Sequence, residues 1–91
     1  MKYRFAAAKR FWKNFHALSP RKKASANEAW VIFKNDPFDP RLGAHKIHHL
    51  SGLAGETIYA VRIEADLRVI FKIQGDTIYT VDIGTHAIYK S

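Results

Sequence analysis

The sequence predicts an α+β fold: two N-terminal helices packed on one face of a twisted antiparallel sheet, in the order β-α-α-β-β-β-β. Three observations lead there. Residues 56–90 contain three alternating apolar and polar segments separated by short turns. Residues 7–34 carry apolar side chains at helical spacing on both sides of Ser19-Pro20. No repeat, linker or low-complexity tract interrupts the chain, so residues 1–91 read as one domain.

Each element has a local reason. Residues 2–6 alternate and form a short first strand. A helix follows over about 7–17, with Phe11, Phe15 and Leu18 on one stripe and Trp12 widening it. Ser19 is a favoured N-cap, and Pro20 is preorganised for the first helical position. The second helix spans about 20–34, with Ala26, Trp30 and Phe33 inward, so that phenylalanines and tryptophans of both helices pack on the sheet. Asn35-Asp36-Pro37 ends it, because the residue before proline avoids the helical region. Residues 36–44 form a loop, 45–50 a strand and 51–55 a turn. Strands over about 57–63, 67–73 and 77–83 are joined by Glu64-Ala65-Asp66 and Gln74-Gly75-Asp76, short enough to force hairpins.

The charge is uneven. The net charge is +7, and residues 1–34 hold nine Lys/Arg against the single acid Glu28. Residues 35–91 hold six Lys/Arg and seven acids. A basic helical surface attracts polyanions, nucleic acid above all, in a salt-dependent way. A solvated surface or an acidic protein partner would account for the same charges. The chain has no cysteine, which excludes disulfides and thiolate zinc sites and fits a reducing cytoplasm. No apolar run approaches the roughly 20 residues that cross a bilayer. The opening MKYRFAAAKRFWKNF has no apolar h-region of a secretory signal.

Symmetric three-residue turns would fix the register. One face then holds Tyr59, Val61, Ile63, Leu67, Val69, Phe71, Tyr79, Val81 and Ile83, without charge. The open face holds Ile58, Ala60, Arg62, Arg68, Ile70, Lys72, Ile78, Thr80 and Asp82. Arg62 lies across from Arg68, and Arg68 across from Asp82. Opposed like charges on neighbouring strands are unfavourable. Two readings stay open: Asp82 neutralises Arg68 while Arg62 turns to solvent, or an anion such as phosphate joins the two guanidinium groups. His86 keeps the parity of the open face and either suits proton transfer or RNA contact or is a plain turn residue; Tyr89 either joins it or packs on the sheet end.

His45, His48 and His49 share one segment with Lys46. On a strand, residues 45 and 49 face one way and 48 the other, and no carboxylate or cysteine pattern accompanies them. Metal binding is therefore not expected; RNA contact and plain surface exposure both remain. No Walker loop, dinucleotide fingerprint, nucleophile elbow or zinc-finger spacing occurs, and no cofactor is expected.

FWKNFHALSP, DPFDPRLGAHKIHHLSG and YAVRIEADLRVIFKIQGDTIYTVDIGTHAIYK, in that order, resemble the RelE/ParE superfamily of bacterial type II toxins over nearly the whole chain. The resemblance implies a small α+β toxin blocked by a cognate antitoxin, with assembly into a higher-order complex. Many members are ribosome-dependent mRNA endonucleases. Others are ParE-like gyrase inhibitors, and some have no demonstrated toxicity. In the RelE- and YafQ-like branch, the third-strand arginine corresponds to Arg62 and the basic residue after the last strand to His86. The terminal aromatic corresponds to Tyr89, and the histidine before the Leu-x-Gly turn to His45 or His49. Arg68 corresponds to an arginine of the following strand. The YafQ-like third-strand histidine is Arg62 here, and the tryptophan after the aspartate is Leu67. The resulting expectation is a metal-independent, cytoplasmic mRNA endonuclease. Arg62, with Arg68, stabilises the phosphorane; His86 acts as acid or base; Tyr89 or His45 completes proton transfer. Lys46, His48 and His49 would contact RNA, while Lys9, Arg10, Lys13, Arg21, Lys22 and Lys23 would dock on ribosomal RNA.

Overall fold

The computed structural model describes residues 3–48, 51–52 and 55–85. Strand β1 (Arg4–Ala7) leads into helices α1 (Lys9–His16) and α2 (Pro20–Phe33). A 3-10 turn (Pro40–Leu42) precedes the short strand β2 (His45–Lys46). Strands β3 (Tyr59–Glu64), β4 (Leu67–Gln74) and β5 (Thr77–Gly84) complete one sheet in the order β1-β5-β4-β3-β2. The α+β layout and element order are those the sequence predicts. Strands β2 to β5 are antiparallel, but β1 lies parallel to β5. A parallel neighbour needs a long connection, and the helices and three intervening strands supply one.

Helix α1 begins later than the periodicity suggests, because Ala6 and Ala7 pair with Tyr79 and Thr80 and stay in the sheet. The Ala8 N–H continues this edge by donating to the Thr80 carbonyl at 2.9 Å. Helix α2 starts as predicted, with Ser19 Oγ accepting from the Lys22 N–H at 3.3 Å and Pro20 in the first turn.

The main core lies between the helices and the sheet. Ala26, Phe33 and Leu42 meet Val61, Leu67, Val69, Phe71, Ile78 and Ile83. Phe71 is its centre, with the Phe33 ring 5.1 Å away and the Tyr59 ring 5.4 Å away. Burying such a ring contributes about 1.5–3 kcal/mol. The tryptophans do not fill this core as expected: Trp12 is 47% exposed and Trp30 41%. Trp30 lies edge-on to Phe5 at 5.0 Å, while Trp12 stacks beside His16 at 6.0 Å. Both rim an apolar groove of about 520 Å³ whose lining includes Val61 and Val69.

A second, smaller cluster occupies the other sheet face. Ile58, Ala60 and Ile70 are buried there, with Ile47 and Val81 packed against them. That face is therefore not wholly open. The chain after β2 folds back over it: Ile47 N–H donates to the Ile58 carbonyl at 2.8 Å, and Ser51 Oγ accepts from the Ile58 N–H at 2.8 Å. β2 ends after Lys46, where the sequence predicts a strand running to residue 50, and the Ile47 carbonyl is instead taken by the Ser51 N–H at 2.9 Å.

The first hairpin keeps the expected register from Tyr59–Phe71 through Arg62–Arg68. A bulge at Ile63 then closes the turn over two residues instead of three. The second hairpin departs from expectation. Gly75 adopts φ +62, the conformation glycine supplies at the first position of a tight hairpin turn, and Gln74 pairs with Thr77. The shortened turn moves the register by one residue. Ile78 and Thr80 therefore enter the core side, and Tyr79 faces outward, where Lys72 Nζ sits 5.4 Å from its ring centroid. A bulge at Val81 restores the parity, sending Val81 to the second cluster and Ile83 to the core. No helix of the described residues is long and apolar enough to cross a membrane.

Candidate phosphate-binding site

One expected juxtaposition is present. Arg62 and Arg68 are direct cross-strand partners on β3 and β4. Such neighbours have Cβ atoms roughly 4.5–5.5 Å apart, so their like charges oppose each other. Their surroundings differ. Arg68 is half-buried, and its Nη1 donates to the carbonyls of Glu64 at 3.0 Å and Ala65 at 3.1 Å. The bulge and turn thus hold this guanidinium in place. Arg62 is exposed and has no hydrogen-bond or ion-pair partner among the described residues.

His45 joins them from β2. It pairs with Ala60, two residues before Arg62 on the same face. Its Nδ1 is 3.0 Å from the Gly43 carbonyl oxygen. A carbonyl only accepts, so Nδ1 carries the proton and Nε2 of the neutral ring keeps a lone pair. Gly43 makes this contact from a left-handed turn at φ +59 that closes the 3-10 turn. His45, Arg62 and Arg68 line one groove of about 550 Å³ with Pro40, Arg41, Leu42 and Gly43.

Arg41 is a groove residue the sequence reading missed. Asp39 holds it by two bonds: Nε to Oδ1 at 3.0 Å and Nη2 to Oδ2 at 2.9 Å. Asp39 Oδ1 also accepts from the Arg41 backbone N–H at 2.9 Å. The guanidinium first, then that N–H, hold the Asp39 carboxyl down at about 2 from an ordinary 3.8. The sequence signal was the Asp-Pro-Arg step, in which aspartate and proline initiate a turn and fix the arginine that follows.

Asp82 does not belong to this site. Arg68 faces Gly84, and Asp82 pairs with Ile70 instead. Its carboxylate is 1% exposed and is taken by α1: Arg10 Nε lies at 2.8 Å and Asn14 Nδ2 at 2.6 Å. The Ile83 N–H donates to it as well, at 2.8 Å. The reading in which Asp82 neutralises Arg68 is therefore overturned, and the cause is the shortened second turn with its bulge.

The other cations divide into held and unheld. Arg10 pairs with Asp82, and Arg21 with Glu64 at 3.2 Å. The Ser25 hydroxyl, and then Arg21, lower the Glu64 carboxyl. Lys9 and Lys13 on α1 are exposed, while Lys22 and Lys23 on α2 are half-buried. Lys46 is exposed beside Tyr59, and His48 is exposed beyond the end of β2. His49, His86 and Tyr89 lie outside the described residues. Among the described residues, no three His, Cys, Asp or Glu side chains come together in a way that would hold a metal ion.

No protein-family model matches the chain. No curated protein matches it either. Solved structures do. YafQ from E. coli strain BL21(DE3) superposes with a TM-score of 0.76 at 14% identity, covering 99% of this chain and 100% of that one. A chain of the archaeal RelE–RelB complex from Pyrococcus horikoshii OT3 gives 0.71 at 19% identity, covering 93% and 96%. The YoeB/ParE toxin from Agrobacterium tumefaciens gives 0.70 at 14% identity, covering 91% and 98%. The protein has the fold of the RelE/ParE-superfamily toxins.

Proposed function

We propose that this protein is the toxin of a type II toxin–antitoxin pair and that it cleaves messenger RNA on the ribosome. The observation that carries the reading is the Arg62–Arg68 pair with His45 on the same face of one groove. A like-charge pair opposes folding, and a phosphate between two guanidinium groups relieves it. The fold shared with RelE and YafQ supports the same assignment.

Message cleavage by the neighbouring hydroxyl asks for three things. The 2′-OH must lose its proton, the phosphorane charge must be stabilised, and the leaving 5′-oxygen must be protonated. Arg62 and Arg68 hold the nonbridging oxygens as charge builds on them. The lone pair on His45 Nε2 accepts the 2′-OH proton. The 2′-oxygen then bonds to phosphorus, the bond to the 5′-oxygen breaks, and His86 or Tyr89 returns a proton there. The products are a 2′,3′-cyclic phosphate and a 5′-hydroxyl. This scheme uses protein groups alone.

The unheld lysines of α1 and α2 dock on ribosomal RNA in the cytoplasm, with a salt dependence that follows from phosphate contacts. A cognate antitoxin, acidic to match the surplus of +7, covers the toxin in a larger complex. Solved structures of RelE with RelB and of YafQ with DinJ support that partnership.

Induction in a bacterial host followed by primer extension on defined messages tests the reading. Codon-associated cuts within minutes are expected, and they disappear with Arg62→Ala and with His86→Ala. Intact messages with cleaved DNA would instead assign the protein to gyrase. Cutting at the wild-type rate in both variants would discard the residue assignment.

A further inference from the structure

We propose that Arg41 forms a second phosphate subsite in the groove, binding the RNA phosphate next to the one held by Arg62 and Arg68. The proposal rests on the nuclease reading above and extends it to a residue the mechanism does not use.

Three features of the structure carry it. The first is shared space: Arg41, Arg62, Arg68 and His45 line one groove, so a chain seated on the pair passes Arg41. The second is the state of the guanidinium. Asp39 occupies Nε and one hydrogen of Nη2. A guanidinium has five N–H donors in a planar fork, so the Nη1 side keeps donors for a second acceptor. The third is how firmly Asp39 is held. It caps the 3-10 turn through the Arg41 N–H, next to Pro40 with its fixed backbone, and Gly43 ties the far end of that turn to His45.

An exposed ion pair adds little to stability. Arg41 has 70% of its side chain exposed, so folding has little need of this two-point grip. The grip does fix the direction of a long side chain that would otherwise sample many rotamers, so less freedom is lost when a phosphate binds. Charge points the same way: the described residues lining the groove include three guanidinium groups and no carboxylate, with Asp39 paired to Arg41. Arg41 is thus a substrate-contacting residue and Asp39 a positioning residue.

The test uses ribosomes programmed with short synthetic messages, each carrying one neutral methylphosphonate at a different position around the cut. In the wild type, neutralising the adjacent phosphate should raise KM. Arg41→Ala should raise KM about tenfold, as expected for a lost charge-assisted contact, with kcat unchanged. It should also lower the salt slope by about one and erase sensitivity to that one methylphosphonate only. Asp39→Asn should weaken the same parameter by less, and Arg41→Lys should restore charge without restoring the full effect. Thermal melting accompanies each variant, and Arg41→Lys carries the comparison should Arg41→Ala fail to fold. An Arg41→Ala protein with wild-type KM, or with raised KM and an unchanged methylphosphonate profile, overturns this proposal alone. A wild-type protein that leaves every message intact overturns the nuclease reading and this one with it.

Discussion

Two charged clusters sit on neighbouring strands and are built in opposite ways. At Asp82 the charges are matched: a buried carboxylate receives Arg10, Asn14 and the Ile83 N–H, and α1 is thereby fastened to β5. At Arg62 and Arg68 the charges are alike, and one guanidinium has no partner among the described residues. The first cluster is complete as the chain folds. The second leaves Arg62 without a charge partner among the described residues, the place where the proposed function puts a phosphate. Buried matched charge helps hold this molecule together, whereas exposed unmatched charge is where the proposed function places the RNA phosphate.

The contrast predicts opposite mutational signatures. The largest effect is on activity: Arg62→Ala should lower message cleavage by roughly a hundred- to a thousand-fold, the usual cost of losing one donor to a developing oxyanion. Its melting temperature should stay level or rise, because a like-charge neighbour is gone. Asp82→Ala should do the reverse, costing about 2–3 kcal/mol of stability through lost charge-assisted hydrogen bonds, measured by urea unfolding. Cleavage per folded molecule should then be near normal. A stable Asp82→Ala protein would erase the distinction between the clusters.

The two hairpins sharpen the comparison. In the first, alternation with an assumed symmetric turn gave the right register and the Arg62–Arg68 pairing, although the bulge at Ile63 went unseen. In the second it did not, because Gly75 permits a shorter turn than the polar residues suggest and the bulge at Val81 then restores parity. Bulges leave no hydrophobic signature, since an extra residue changes the alternation only by one step. Gly75→Ala places a side chain at φ +62 and should cost about 1–2 kcal/mol, read as a shift in the unfolding midpoint.

Other features were hidden for similar physical reasons. The helix pair was readable because Ser19-Pro20 and the apolar stripes report local geometry. The parallel pairing of β1 with β5 depends on distant residues and has no local mark. Arg41 was missed because a turn arginine looks like surface until the groove assembles around it. Asp82 looked like an open-face neighbour of Arg68 because parity cannot show that a helix will cover it.

The smallest expected effect concerns acid. The Asp39 carboxyl lies near 2 in the folded protein against an ordinary 3.8. A lowered folded-state value stabilises above the unfolded one, so this contribution is full above about pH 4. It should fade as the pH falls through about 2, with the Asp39 carboxyl carbon reporting the midpoint by NMR. A midpoint near 4 would mean that Arg41 is not held.

The most direct measurement is an NMR titration of the arginine and histidine side chains with a short RNA whose cleavage-site 2′-OH is replaced by hydrogen. Resonances of Arg62, Arg68 and His45 should shift together at one saturable midpoint, while Arg10, locked on Asp82, stays still. Saturation that leaves Arg62 and Arg68 unmoved, or that moves Arg10 instead, would contradict the account.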